Sequence, residues 1–224
     1  MKKQLSIVFL CLFVLNYSNA LCSKGHFEVF EKYEKATIHF LDGTSIRGYG
    51  KLVGFAVVST EKYKIKFKAS KDGKVDIWTD LMVKGITFHY DFDDVTYLYV
   101  KLSRSRYRRL LQVLEEGAVN LYIEIDTYLV SSGVNPRTGF PLGSYKEEKT
   151  YYFLVRNLDG KSLMLSPANT LSETVRAIFS NFKKKVKKFF HDCEGIKNKL
   201  DSGDFNRTTI PEIVYYYNDF CTEL

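Results

Sequence analysis

Tyr63-Lys64-Ile65-Lys66-Phe67-Lys68, then Asp72-Gly73, then Lys74-Val75-Asp76-Ile77-Trp78 is the stretch that decides the fold class. Apolar and cationic residues alternate with period 2, and Asp-Gly separates two such runs, the strongest short-range signal for a β-hairpin. The same grammar appears on either side. Ala36 to Leu41 meets Asp42-Gly43 and resumes from Ser45 to Val58. Val119, Leu121, Ile123 and Ile125 alternate with Asn120, Tyr122, Glu124 and Asp126, and Thr150 to Val155 faces Leu163 to Leu165 across Leu158-Asp159-Gly160. Repeated hairpins of this length predict an antiparallel meander, closed as a barrel or folded as a sandwich.

One segment of that region carries two patterns. Tyr107, Leu110, Leu111 and Leu114 have helical spacing with Gly117 just past the end. Leu111 and Val113 also alternate, and Glu116-Gly117 turns directly into the Val119 strand, which favours a strand over 103–117. Ser131 to Lys146, with three Gly and two Pro, is expected to be the one long loop. Gly48, Gly50 and Gly54 do not match a dinucleotide fingerprint and are expected to mark bulges or close backbone approaches.

After Pro167 the period changes. Thr170 to Glu173 has the form of a capping box, and Val175, Ile178, Phe179, Phe182, Val186, Phe189 and Phe190 recur at i, i+3, i+4, i+7. The spacing predicts a helix over 171–192 that stops near Cys193, with Gly195 beyond it. A helical turn around Ile196 to Leu200 ending at Gly203 should follow. Thr209-Ile210-Pro211-Glu212 then opens a last helix whose face holds Ile213, Val214, Tyr217 and Cys221. The fold class is therefore α+β: a β-rich body over 21–166 and a C-terminal helical segment over 167–224 packed on it.

The N-terminus reads as an address. Met1-Lys2-Lys3, an apolar run from Leu5 to Leu15 and Ser18-Asn19-Ala20 have the form of a secretory signal peptide over residues 1–20. The run is shorter than the ~20 residues of a membrane span, and Leu21 disfavours lipidation of Cys22. An exported chain in the periplasm, on the outer surface or outside the cell is expected. Removing residues 1–20 takes away Lys2 and Lys3 and no acids, so the formal charge of +7 becomes +5. Cys11 leaves with this segment. In an oxidising compartment Cys193 and Cys221, both at expected helix ends, are expected to pair, with Cys22 left over. Closing that loop stabilises a fold by roughly 3–4 kcal/mol in the chain-entropy model.

With 224 residues, 45% hydrophobic and 26% charged, the chain is neither disordered nor a disulfide-dense miniprotein. Asp42 to Tyr49, Val83 to Phe88, Leu110 to Tyr122 around Glu116-Gly117, and Phe189 to Cys221 with Asp192-Cys193 and Tyr217-Asn218 resemble a broad group of uncharacterised secreted proteins of Bacteroidetes bacteria. That resemblance implies export, a β-rich body and a helical C-terminal end, and it transfers no activity or functional residue.

Candidate sites are few. Lys183, Lys184, Lys185, Lys187 and Lys188 lie opposite the aromatic stripe, as either a solvated face or an attachment surface for anionic lipid or polymer. Arg104, Arg106 and Arg108 would share one face of a strand and could grip phosphate, sulfate or carboxylate, or serve as ordinary surface residues. Asp91, Asp93 and Asp94 start like a calcium loop, but Val95 and Thr96 break the motif. His26, His39, His89 and His191 form no metal-ligand pair, and no G-x-S-x-G elbow occurs. Zinc held by His191, Cys193 and Cys221 is the rival to the disulfide. Glu124 and Asp126 share a strand face and read as solubilising residues. The expectation is a non-catalytic, exported binding or structural protein with no cofactor, no metal and no nucleic-acid partner. Its alternatives are a peripheral binder of anionic lipid or polysaccharide through the basic clusters, and an enzyme of a type the motifs do not reveal.

Overall fold

The computed structural model describes residues 32–52, 64–103, 105–133, 135–140, 142–166 and 181–222. Ten strands come first: β1 (Glu34–Phe40), β2 (Ser45–Leu52), β3 (Ile65–Lys68), β4 (Asp76–Trp78), β5 (Val83–His89), β6 (Asp94–Lys101), β7 (Arg108–Glu115), β8 (Val119–Ser131), β9 (Ser144–Arg156) and β10 (Ser162–Leu165). Helices α1 (Phe182–Phe189), α2 (Glu194–Ser202) and α3 (Ile210–Phe220) follow. All ten strands join one antiparallel sheet in the order β10-β9-β8-β7-β6-β5-β1-β2-β3-β4.

The predicted hairpins form where turn chemistry supports them. Between β1 and β2, Gly43 sits at φ 88°, and Asp42 Oδ1 accepts bonds from the Thr44 N–H at 2.9 Å and its hydroxyl at 2.7 Å. The ambiguous segment is strand: β7 pairs with β6 on one side and β8 on the other. The expected long loop is shorter than its composition suggests, because β8 and β9 pair out to Ser131 and Ser144. Gly133 and Gly143, both at positive φ, then let the ladder continue through Ser132 N to Gly143 O (3.0 Å) and Leu142 N to Gly133 O (2.9 Å).

One feature of the order forces curvature. β4 is the outer edge and β5 lies beside β1, four strand spacings away, or about 19 Å if the sheet were flat. The connection Thr79–Met82 is a turn in which Met82 N–H and Val83 N–H both bond Thr79 O, and it is too short for that span. The sheet therefore rolls. The Tyr99 hydroxyl on β6 donates to Trp78 O at 3.3 Å, and the Trp78 ring stands edge-on to Phe40, 5.3 Å between centroids. Inside the roll Ala36, Ile38, Ile65, Phe67, Ile86, Phe88 and Tyr97 pack as one cluster. Gly50 makes the tight radius possible: a Cβ there would lie 2.3 Å from Ile86 Cδ1 and 3.0 Å from Ala36 Cβ. The close approach expected at this glycine is present, while Gly54 lies outside the described residues.

The other half of the same face is covered by helices. Val119 and Leu121 of β8, Leu154 of β9 and Leu165 of β10 pack against Phe182, Val186, Phe190, Ile196, Leu200, Ile213, Val214 and Tyr217. Phe182 and Val186 are buried, and Lys183, Lys184, Lys185 and Lys188 are exposed, as the stripe predicts. Thr170, Glu173, Val175, Ile178 and Phe179 fall outside the described residues. Gly195 lies beyond α1 as expected, and it falls in the first turn of α2, where a Cβ would meet the Tyr216 hydroxyl at 2.4 Å; α2 is nine residues rather than one turn, and Gly203 at φ 91° ends it. Thr209 precedes α3 without capping it. Its hydroxyl instead accepts from Asn206 N (2.9 Å) and donates to Asn206 O (3.2 Å), closing the preceding turn.

Cys193 and Cys221 form the expected disulfide, with Cα atoms 5.6 Å apart. It sits beside a polar clamp. Arg156, at the end of β9 and 4% exposed, donates to Asp192 Oδ2 at 2.9 Å and to the Phe189 carbonyl at the end of α1. The Tyr217 hydroxyl of α3 reaches the same carboxylate oxygen at 2.8 Å. Burial alone would raise the Asp192 carboxyl, but the Tyr217 hydroxyl and the Arg156 guanidinium hold it below the usual carboxylate range. Nearby, Asn218 brackets the Val119 main chain with two 3.0 Å bonds. Gly117 makes room for it, since a Cβ there would lie 2.4 Å from Asn218 Nδ2.

Candidate functional site

Rolling the sheet inward turns the alternate residues of β1, β2, β3 and β5 outward. Cross-strand partners share a face, so the registers place Lys68, Tyr49, Lys35, His89 and Asp94 in one row and Arg47, Thr37, Thr87 and Thr96 in the next. His89 Nδ1 is 2.9 Å from Asp94 Oδ1 and its Nε2 is 2.7 Å from the Thr37 hydroxyl. His39 Nε2 lies 2.8 Å from the Thr87 hydroxyl, which is 2.9 Å from that of Thr96. Burial, then the nearby Lys84 and His89 charges, push the His39 imidazole below its ordinary value. These contacts fix both rings.

Asp94, His89 and Thr37 are bonded in the order of a nucleophile relay. Thr37, however, is 8% exposed and lies mid-strand with partners on both sides. Its neighbours' N–H groups belong to the ladder, so no converging pair of donors remains on that strand to hold an oxyanion. The arrangement suits orienting His89 better than attacking a substrate.

The wider face is basic. The outward positions of β1, β2 and β3 carry Lys35, Arg47, Lys51, Lys66 and Lys68 and no Asp or Glu. Aromatic rings interleave with them: Tyr49 is the cross-strand neighbour of both Lys35 and Lys68, and Lys68 Nζ stands 4.6 Å over the Tyr33 ring. At the centre is an open cavity of about 500 Å³ lined by Lys35, Ala36, Arg47, Gly48, Tyr49 and His89. Such a volume lies within the roughly 300–1,000 Å³ of small-ligand sites.

The sites suggested by sequence are distributed elsewhere. Arg104 lies outside the described residues. Arg106 and Arg108 are exposed, but β7 begins only at Arg108, so the shared strand face expected for the three arginines does not extend back to Arg106. Lys183, Lys184 and Lys188 project from α1, and Lys187 is tied to Asp201 at 2.5 Å. Neither cluster adjoins a cavity among those described.

Glu124 corrects its reading. It is 4% exposed rather than solubilising, and Arg109 Nη1 binds it at 2.8 Å while stacking over Phe153. The reason is that β6 to β9 bury both faces, with Val100, Leu111, Tyr122 and Phe153 forming a second cluster on the side away from the helices. Cys193 and Cys221 are consumed by the disulfide and so are not zinc ligands. Among the described residues no three His, Cys, Asp or Glu side chains gather as a metal site, and no helix is long and apolar enough to cross a membrane.

Sequence reading missed the outer face because its residues are 54 positions apart, from Lys35 to His89. The one local signal was the lysine side of the alternating Tyr63 to Lys68 run, which announced a cationic strand face without naming its neighbours. No protein-family model, curated protein or solved structure matches this chain.

Proposed function

We propose that the protein is exported and acts as a non-catalytic binding protein that holds an anionic polysaccharide on the outer face of its N-terminal roll. The observation that carries this reading is the set of outward cations Lys35, Arg47, Lys66 and Lys68 across β1, β2 and β3, with no Asp or Glu at the outward positions of those strands. Together they give the face a positive potential that concentrates a polyanion against it. The signal-peptide pattern of residues 1–20 and a disulfide, which persists in oxidising compartments, support a location in the envelope or outside the cell. The resemblance to secreted Bacteroidetes proteins agrees with it.

A second reading places anionic lipid against α1, because Lys183, Lys184, Lys185 and Lys188 are exposed together. The apolar side of α1 is already committed to the core, so such attachment would be through charge alone.

The test is retention of the mature protein on immobilised heparin, polygalacturonate and a neutral glucan. Retention on both anionic matrices, lost between low salt and about 0.5 M, is expected, because screening shortens the reach of exposed charges to a few ångströms. Equal retention on the neutral glucan, or none on the anionic matrices at low salt, would remove the reading.

A further inference from the structure

We infer that the cavity at Lys35, Arg47, Tyr49 and His89 is the specificity pocket of this face and takes a single anionic pyranose unit, carrying carboxylate or sulfate, from the bound chain. The inference rests on the polysaccharide reading and names the place where the polymer is recognised rather than merely attracted.

Four features converge there. First, the cavity is built for a ring. Ala36 and Gly48 point their side-chain positions into the core, so their main chain makes a low floor, and Lys35, Arg47, Tyr49 and His89 rise around it. Second, the cations are separated. Lys35 pairs with Tyr49, whereas Arg47 pairs with Thr37 in the next row, a diagonal of about 7–8 Å between Cα positions. Both can reach a ligand seated between them, and Arg47 offers the planar fork that matches carboxylate and sulfate. Third, Tyr49 supplies an aromatic face on which the C–H side of a sugar ring can lie, with a hydroxyl for its polar edge. Fourth, His89 is held in place at both nitrogens by Asp94 and Thr37, so the wall of the pocket is set before a ligand arrives and little ordering cost remains.

The surroundings choose between ligand classes. Outward positions of β1, β2 and β3 carry Lys, Arg, His, Thr, Ser and Tyr and no Leu, Ile, Val or Phe; the exposed Ile77 of β4, opposite Lys66, is a single apolar side chain at the edge of the track, too little to anchor this face in an acyl layer. Lys68 and Lys66 on β3 continue the cationic track away from the cavity, about two strand spacings or 10 Å from Lys35 in the case of Lys68. A chain with one ring in the pocket would lay its next charges along that track. The pocket then selects the ring chemistry and the track adds length-dependent affinity.

Titration calorimetry of the mature protein with trigalacturonate, its fully methyl-esterified form and a disulfated disaccharide tests this. Trigalacturonate or the disulfated disaccharide should bind and the ester should not; which of the two binds more tightly identifies carboxylate or sulfate as the anion. Arg47→Gln and Tyr49→Ala should each weaken the short ligand about tenfold. Lys66→Gln should leave the short ligand within about twofold and lower the salt needed to elute the protein from the long polymer. Unchanged melting temperatures show that these outward substitutions have not altered the fold. Several results overturn the inference: failure of both short anions to bind, equal binding of the ester, indifference to Arg47→Gln, or capture of a short single-stranded oligonucleotide as tightly as trigalacturonate. If the long polyanions are retained while these occur, only the pocket is lost; if they are not retained either, the proposed function falls with it.

Discussion

The two ends of the sheet cover the same face by different means. At the N-terminal end β1 to β6 roll until the face meets itself, and among the described residues Ile38, Ile86 and Phe88 become fully buried against other strands, with no helix in their cluster. At the C-terminal end β8, β9 and β10 stay open, and three helices joined through a disulfide and the Arg156 clamp cover Val119, Leu121 and Leu154. The difference teaches where a binding surface is available. A self-covered roll leaves its outer side free for polar groups, and the basic pocket forms there. The C-terminal half is buried on both sides, by the helices on one and around Leu111, Tyr122 and Phe153 on the other.

The largest expected effect is at the helix-covered end. Phe182→Asp places an unpaired carboxylate in the cluster of Val186, Phe190 and Leu154 and should cost about 4 kcal/mol, while Lys184→Glu on the exposed side should stay within about 0.5 kcal/mol. Urea melts give both numbers. Residue-resolved hydrogen exchange sharpens the comparison: protection should fall more at Leu121 and Leu154 than at Ile38 and Ile86. Uniform loss would mean the two ends are a single cooperative unit.

Next come the clamp and the staple. Asp192→Ala leaves the buried Arg156 guanidinium without its carboxylate and should destabilise by about 3 kcal/mol. Arg156→Met should cost less, because Asp192 keeps access to water through its 40% exposed side chain. Reducing Cys193–Cys221 should cost a comparable 2–4 kcal/mol; non-reducing peptide mapping that finds both thiols free would remove the staple altogether.

At the self-covered end, Gly50→Ala adds one methyl against Ile86 and Ala36 and should cost about 1–3 kcal/mol by overpacking. A thermal melt unchanged by this substitution would show that the roll has slack its packing does not suggest.

The smallest effect is on pH. His39 is depressed below its ordinary 6.5 in the folded protein, so the unfolded chain takes up its proton first as pH falls. Stability should therefore decline with acidification from about pH 6.5 downward, until the folded-state imidazole also protonates. His39→Asn should flatten that limb of a stability–pH curve, and an identical slope in the variant would show that other groups set it.

Local rules determined a good deal of this molecule. Period-2 alternation and Asp-Gly turns place the hairpins around Gly43, Gly73 and Gly160, the competition between two patterns over 103–117 resolves to β7, and the amphipathic stripe orients Phe182 and Val186 inward. The pairing of Cys193 with Cys221 was legible from the signal-peptide pattern of residues 1–20 and the expected helix ends. Each of these depends on residues within a few positions of one another, or on chemistry that a compartment imposes on a cysteine pair. Tertiary structure alone decided the rest. Alternation says which residues share one side of a strand but not which strand lies beside it, so neither the placement of β5 against β1 nor the rolling it forces was visible. The same step brought His39 and His89 onto one face and set Lys35 diagonally from Arg47. It also buried Glu124, because a strand whose polar side meets a second cluster gives no local sign that both its faces are covered. The candidate site lies wholly in this second class: its members come from separate strands, and only the register between those strands makes them neighbours.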